Sequence, residues 1–322
     1  MNAADLAAFS NNAVAGAAVV YFLAFRAHIA EWAAGRTLPA TVATREAVPA
    51  AVGTVAPQQD RRRADTADAA VRVDLFGRVG VALTVVAFGL NLLGVVTRGL
   101  AADRVPWGNM YEFSLAGVVG AAGIYLLLLR RQHLRWMGIL VTGFAVVVLM
   151  LSVLILYVPA APLVPALQSY WLVIHVIAAI IASGAFTVGA MASALFLVKR
   201  RAELRPEPRR SGYIARLPRS EVLDRVAYRV HAFGFPVWTF AALVAGPIWA
   251  EYAWGRYWGW DPKEVWAFIT WVVYAAYLHA RATAGWKGRA AAVIALIAFA
   301  TLLFNFVGIN FFFGSGSMHS YA

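Results

Sequence analysis

The sequence predicts an all-α, polytopic integral membrane protein with about eight transmembrane helices and both termini outside. Hydrophobic residues make up 61% of its 322 residues and charged residues only 14%, with a mean hydropathy of +0.67. A soluble domain is nearer half apolar and a quarter charged. The charges cluster in short stretches, and apolar segments of about 20 residues, long enough to cross a bilayer, lie between them. A water-soluble enzyme and a secreted disulfide-rich domain are therefore excluded.

Eight apolar segments are predicted to span the membrane. They lie at 10–26, 76–97, 111–129, 136–157, 170–198, 231–250, 263–280 and 290–312. The first is expected to be a helix of the mature protein, because the preceding residues, MNAADLAAFSNN, lack the basic character of a signal peptide.

Basic residues predict the orientation of these spans. Segments 26–78, 130–135, 199–229 and 281–289 hold 24 of the 28 Lys and Arg residues. Because basic loops stay in the cytoplasm, an even number of spans places both termini outside the cell membrane. The net charge of +12 is then a topology signal, and no nucleic-acid partner is expected.

Two regions are predicted within this topology. Residues 1–75 comprise the first span and a disordered, basic cytoplasmic loop, since 36–70 is rich in Ala, Pro, Thr, Arg and Asp without periodicity. Residues 76–322 form the main transmembrane domain. The basic loop at 199–219 is expected to be a solvated connector facing lipid headgroups.

The sequence contains no cysteine. The protein therefore has no disulfide, no thiolate metal site and no thiol of its own. Any sulfur chemistry that it assists must use the thiols of another molecule.

The most informative segment is 249–271, WAEYAWGRYWGWDPKEVWAFITW, which contains six of the twelve Trp residues. An aromatic belt at the membrane interface explains any single Trp. It does not explain Gly255 and Gly259, which let the backbone turn tightly and let large flat groups approach it. The segment is therefore a candidate surface for a flat apolar macrocycle such as haem.

Individual residues of this segment have predicted roles. Trp254, Trp258 and Trp260 are expected to pack on the macrocycle. Arg256 and Lys263 are the basic residues of this outer loop and are expected to bind its carboxylates.

Asp261 has a structural interpretation. In the sequence Asp261-Pro262-Lys263-Glu264, Asp261 suits the N-cap, Pro262 the first helical position and Glu264 the third, which together form a capping box. Asp261 and Glu264 are thus predicted to start the seventh span, with ligand contact as a secondary role.

Histidines are the candidate iron ligands, and the predicted topology separates them. His28, His133 and His231 lie at inner ends of spans and are interpreted as interfacial residues. His175, near the outer end of the fifth span, and His319, after the last span, can both reach the Trp-rich loop and would suit bis-histidine iron ligation. His279 lies roughly 25 Å below Pro262 at helical rise, so it belongs to a separate inner site.

These residues carry a resemblance to a known family. The stretch WAEYAWGRYWGWDPKEVWAFITWVVYAAYLHAR resembles the tryptophan-rich "WWD" signature of haem-handling proteins of cytochrome c biogenesis. The segment PWGNMYEFSL at 106–115 and the ending MHSYA are similar to the CcsA/ResC branch of the two-component system II pathway. The family ends in HSYG where this chain has Ala322, and Phe113-Ser114 follows Glu112 where Ser-Leu is common.

The resemblance implies a function and a set of ligands. It implies that His175 and His319 ligate the iron of haem b, the transported substrate, beside a WWD loop at 249–266. It implies that His279 belongs to a transmembrane haem site completed by a CcsB/ResB-type membrane subunit. This chain and the CcsB/ResB-type subunit would act as part of a cytochrome c synthase (haem lyase-type) complex. The complex would deliver haem to apocytochrome c at the extracytoplasmic face for thioether attachment. Thiol-reducing proteins would be involved indirectly.

Two alternative functions remain open at the level of sequence. A cytochrome-b-like electron carrier usually pairs histidines on facing helices, whereas two candidate ligands here are external and one is alone. A transporter of another solute would use the Trp-rich loop as an outer gate and would contain no haem.

Overall fold

The computed structural model describes residues 2–38, 57–132, 134–160, 169–206, 212–283, 285–313 and 317–318. Within these ranges the regular structure is helical. The helices are α1 (Ala3–Ala34), α2 (Pro57–Ala102), α3 (Met110–Gln132), α4 (Gly138–Leu154), α5 (Tyr170–Glu203), α6 (Tyr213–Arg216), α7 (Ser220–Phe240), α8 (Gly246–Trp254), α9 (Pro262–Ala282), α10 (Arg289–Leu303) and α11 (Ile309–Phe312). Two π-helical segments, Ala241–Ala245 and Phe304–Gly308, join α7 to α8 and α10 to α11.

The multi-pass helical architecture predicted from the sequence is confirmed. By length and apolarity, seven helical stretches of the described chain are candidate membrane spans: Ala3–Ala34, Asp65–Ala102, Met110–Arg130, Leu134–Leu154, Tyr170–Glu203, Ser220–Trp254 and Arg289–Phe312. The remaining predicted span forms α9, which has 21 residues but carries Trp, Tyr and His residues that reduce its hydropathy. The orientation of the termini stays a prediction.

The prediction of a disordered loop over 36–70 is wrong for residues 57–70. Helix α2 begins at Pro57 and runs without interruption into the predicted span. Ala, Arg and Gln, frequent in this stretch, are good helix formers, and extending an existing helix has no nucleation cost. The segment 39–56 lies outside the described residues.

The connector at 199–219 is more closely packed than the sequence predicts. Tyr213 of α6 packs edge-on against Trp32 with ring centroids 4.3 Å apart, and the Arg216 guanidinium lies 4.7 Å from the Trp32 ring centroid. The Lys199 ammonium donates hydrogen bonds to the carbonyls of Ile214 and Ala215, at 2.9 and 3.2 Å. Burial raises the pKa of the Tyr213 phenol. The described part of this connector is therefore docked against α1 and α5.

Helix α5, which carries His175, crosses α3 at close range. A Cβ atom built on Gly184 would lie 2.5 Å from the carbonyl carbon of Gly120, and one built on Gly120 would lie 2.8 Å from the Ile180 carbonyl oxygen. Small residues of this kind let the backbones of membrane helices touch. The glycines thus fix α5 against α3.

A buried ion network ties α2 to the start of α3. The Glu112 carboxylate accepts from Arg98 Nε at 3.0 Å, from Arg104 Nη1 at 2.8 Å and from the Gly108 N–H at 2.7 Å. Asn109 caps α3 by accepting from the Glu112 N–H at 3.0 Å. Several residues of the PWGNMYEFSL segment therefore build the helix connection.

Candidate functional site

His175 is held by the irregular backbone of a neighbouring helix. Its Nδ1 lies 2.9 Å from the carbonyl oxygen of Ala241, the first residue of a π-helical segment. A carbonyl only accepts, so Nδ1 carries the proton, and in the neutral ring the lone pair lies on Nε2. Histidines that bind metals commonly have this arrangement, which fixes both tautomer and ring orientation.

Trp249 forms one wall beside this histidine. Its ring is stacked with the His175 ring at a centroid distance of 6.1 Å and an interplanar angle of 19°. Trp249 is only 1% exposed, and Trp254 packs edge-on against it at 4.9 Å. Trp254 therefore supports Trp249 and is not part of the cavity wall next to it.

A cavity of about 420 Å³ opens beside His175. This volume lies in the range of sites for small organic ligands. Its walls are mostly apolar and come from α3, α4, α5, α8, α9 and the α10–π–α11 helix; Trp249, Trp258, Lys263 and Glu264 line it together with His175. The site is thus a largely apolar chamber with a histidine and a lysine in its wall.

Two polar atoms in the lining have no hydrogen-bond partner among the described residues. They are the indole Nε1 of Trp258, a donor, and the amide Oδ1 of Asn305, an acceptor, and both are buried. Buried polar groups without a partner are uncommon and call for an explanation such as a ligand. A water molecule or a polar group of a ligand would satisfy each of them.

The Trp-rich loop has a defined backbone. Gly255 ends α8 in the left-handed conformation, with φ of 68°, the typical glycine cap. The predicted capping box is present at the start of α9: the Asp261 carboxylate accepts from the Lys263 N–H at 3.2 Å, and Glu264 accepts from the Asp261 N–H at 3.1 Å. Pro262 occupies the first helical position. These interactions fix the loop between α8 and α9.

The predicted site residues are distributed unevenly over this loop. His175, Trp258 and Lys263 meet at the cavity, and Lys263 Nζ also donates to Asn310 Oδ1 at 3.2 Å. Trp260 is 69% exposed, and its ring lies edge-on to that of Trp258 with centroids 5.9 Å apart. Arg256 is exposed, and its guanidinium lies over Gly259, where a Cβ atom would meet it at 2.2 Å.

His279, the other predicted ligand within the described residues, lies away from the cavity. His279 is exposed near the C-terminal end of α9, a helix that runs unbroken from Pro262, so helical rise puts it roughly 25 Å from the loop. His319 and His133 are outside the described residues.

His28 and His231 are buried between helices, which the interpretation of both as interfacial residues did not include; their depth in the membrane stays a prediction. Both are 0% exposed. His28 lies between α1, α2 and α4 with Nδ1 3.1 Å from Glu31, and His231 lies between α5, α7 and α9 against Tyr274 and Tyr277. Their Arg-rich sequence neighbourhood predicts a position near the inner membrane surface but does not show that they face the helix interior.

Trp249 and Asn305 line the cavity but have no individual role in the sequence-based prediction. Trp249 was counted only as one Trp of the loop, and Asn305 lay in the last span. An asparagine in an apolar span is a detectable signal, because polar groups inside a membrane are costly and usually functional. The stacking of Trp249 on His175 depends on helix packing and has no local signal.

Membrane helices surround an apolar chamber, and an oriented histidine lies in its wall near a Trp-rich loop. This arrangement defines a membrane protein that binds an amphiphilic ligand. Residues 107–315 match the family described as "Cytochrome C assembly protein". The chain belongs to this family.

Curated relatives carry a more specific name. The chain is 34% identical over 303 residues to "Cytochrome c biogenesis protein CcsA" of Synechococcus sp. (strain JA-2-3B'a(2-13)), covering 77% of this chain and 84% of that protein. The protein of the same name from Guillardia theta is 35% identical over 259 residues, covering 76% and 85%. That from Gloeobacter violaceus is 34% identical over 304 residues, covering 78% and 88%.

Proposed function

We propose that this protein handles haem in cytochrome c maturation and presents it in the outer cavity, with His175 as one axial ligand of the iron. The single observation that carries this proposal is the oriented His175 ring in the wall of the apolar chamber. Membership of the cytochrome c assembly family supports it.

The cavity residues fit haem as a substrate. Haem is a flat, mostly apolar macrocycle with two carboxylates, and the chamber is apolar with Lys263 in its wall. The Trp258 indole N–H can donate to a carboxylate, which would satisfy its unpartnered donor. Haem b supplies the iron and the vinyl groups to which thioethers attach; the protein binds, orients and shields it from lipid.

The second outer ligand is proposed to be His319. It follows Met318 directly, and Met318 is docked on the Trp-rich loop through its backbone N–H, 2.8 Å from the Asp261 carboxylate. Two histidines, one from α5 and one from the C-terminal segment (residues 317–322), would bind iron from opposite faces.

His279 is proposed to belong to an inner haem site shared with a CcsB/ResB-type membrane subunit. It continues a stripe of exposed residues along α9 that includes Phe268, Val272 and Ala276. Residues three or four apart lie on one helix face, so this face is available to another membrane helix. The family resemblance implies that the other ligand comes from the partner.

The acceptor is proposed to be apocytochrome c at the extracytoplasmic face of the cell membrane. The chain has no cysteine, so the reacting thiols must belong to the acceptor, which thiol-reducing proteins would keep reduced. The contribution of this chain to a synthase complex is to position haem vinyl groups near those thiols.

The proposal is tested by measuring haem in the purified complex and cytochrome c maturation in cells. His175→Ala should lower bound haem at the outer site by at least about tenfold, since ligand removal exceeds the effect of losing a supporting contact. Ile174→Ala, one residue away on the same helix and exposed, is the matched control and should load normally. Equal haem content and maturation in both variants would overturn the proposal.

A further inference from the structure

The Asp261 carboxylate has contacts beyond the capping box. Besides accepting from the Lys263 N–H, it accepts from the Ser317 hydroxyl at 2.7 Å and from the Met318 N–H at 2.8 Å. Asp261 and Ser317 are both buried. One carboxylate thus joins the start of α9 to the C-terminal segment.

The loop that receives this segment is itself fixed. Glu264 Oε2 accepts from the Gly259 N–H at 2.8 Å and from the Asp261 N–H at 3.1 Å. Arg256 Nη2 lies 3.7 Å from the Met318 sulfur. Ser317 and Met318 therefore dock on a rigid part of the Trp-rich loop.

We infer that Asp261 is a positioning residue that holds the C-terminal segment on the Trp-rich loop and so sets the reach of His319. Consecutive Cα atoms are 3.8 Å apart, so His319 starts one residue from the docked Met318. This inference rests on the proposed role of His319 as an outer haem ligand.

The chemistry of the contact requires a carboxylate. Among the described residues, at least three donors, the hydroxyl of Ser317 and the N–H groups of Lys263 and Met318, converge on the two carboxylate oxygens. Asparagine is as good an N-cap as aspartate, but its amide has only one acceptor oxygen and puts an NH₂ group in place of the other. Asp261→Asn therefore preserves the helix cap and weakens the hold on the C-terminal segment.

The first experiment measures whether the segment is released. Because the chain has no cysteine, Ser320→Cys supplies a unique thiol whose labelling by a membrane-impermeant maleimide can be timed in membranes that contain the whole complex. In that background, Asp261→Asn and Ser317→Ala should each accelerate labelling about tenfold, the effect of losing one hydrogen bond to a charged group. Ser317→Thr keeps the hydroxyl and should label at the parental rate.

Ser317→Ala guards against a folding defect, because it leaves α9 and its cap untouched. The double variant of Asp261→Asn and Ser317→Ala should label little faster than Asp261→Asn alone, since both changes remove the same contact. Parental labelling rates in both single variants would overturn the inference.

The second experiment measures the ligation of the haem iron. In the same two variants, the absorption spectrum of bound haem should shift from six-coordinate low spin towards high spin, and added imidazole should restore it by replacing the displaced ligand. A released segment with an unchanged spectrum would overturn the positioning role. Full haem loading in His175→Ala is a separate outcome that would overturn the proposed function instead.

Discussion

The residues of the outer cavity show how the protein orients a ligand before one arrives. The Ala241 carbonyl fixes the His175 tautomer, and Trp249 holds the plane of the ring. Trp258 and Asn305 leave a donor and an acceptor unpartnered in the described part of the cavity wall. The protein itself therefore sets the tautomer and the plane of the His175 ring.

Trp258→Phe should weaken haem binding without changing the thermal stability of the protein. Because the Trp258 indole N–H makes no hydrogen bond to the described residues, its removal should leave thermal unfolding in detergent nearly unchanged. Haem dissociation should accelerate at least about tenfold, the value of one hydrogen bond to a charged group. Trp254→Phe, which lies behind Trp249, is the control and should dissociate at the parental rate. A parental rate for Trp258→Phe as well would show that the indole N–H does not contact haem.

At the scale of elements, irregular helices and buried charges build the outer end of the molecule. The π-helical segments at 241–245 and 304–308 each lie beside the cavity, and the first supplies the carbonyl that holds His175. Such π-helical segments are often found at functional sites. The Arg98–Glu112–Arg104 network fixes the neighbouring α2–α3 connection.

Glu112→Gln should destabilise the protein far more than a surface substitution. It would leave Arg98, which is 0% exposed, without its charge partner, and breaking a buried pair costs about 3–5 kcal/mol. Asp74→Asn, at a half-exposed carboxylate paired with Arg78 and Arg135, is the matched control and should cost about 0–1 kcal/mol. Thermal unfolding in detergent measures both, and similar melting temperatures would contradict a structural role for the network.

At the scale of the whole molecule, the sequence predicts those structural features that depend on residues adjacent in the chain. The spans follow from runs of apolar residues, and the capping box at Asp261 follows from four consecutive residues; both are present in the structure. Other features involve residues that are far apart in the chain. They are the burial of His28 and His231, the stacking of Trp249 on His175 and the contact of Asp261 with Ser317. Such contacts depend on which helix faces meet, and a single sequence does not encode that in any local pattern.

His279→Ala should block haem transfer at an earlier step than loss of an outer ligand. Helical rise puts His279 roughly 25 Å from the loop, so its effect must come from a separate inner site. The complex purified with its partner should then lack haem at both sites, whereas His175→Ala should retain haem at the inner one. Val272→Ala, on the same face of α9, controls for loss of packing against the partner. Full, spectrally unchanged haem loading in His279→Ala would leave a single outer site supplied by another route.

The most direct test of the central claim is an experimental structure of the haem-loaded complex. We predict density for the macrocycle inside the cavity lined by Trp249 and Trp258, with the iron bonded to Nε2 of His175 at about 2 Å, a distance typical of metal–imidazole bonds. Haem bound elsewhere, with His175 Nε2 not coordinated and the cavity occupied by lipid, would contradict the account.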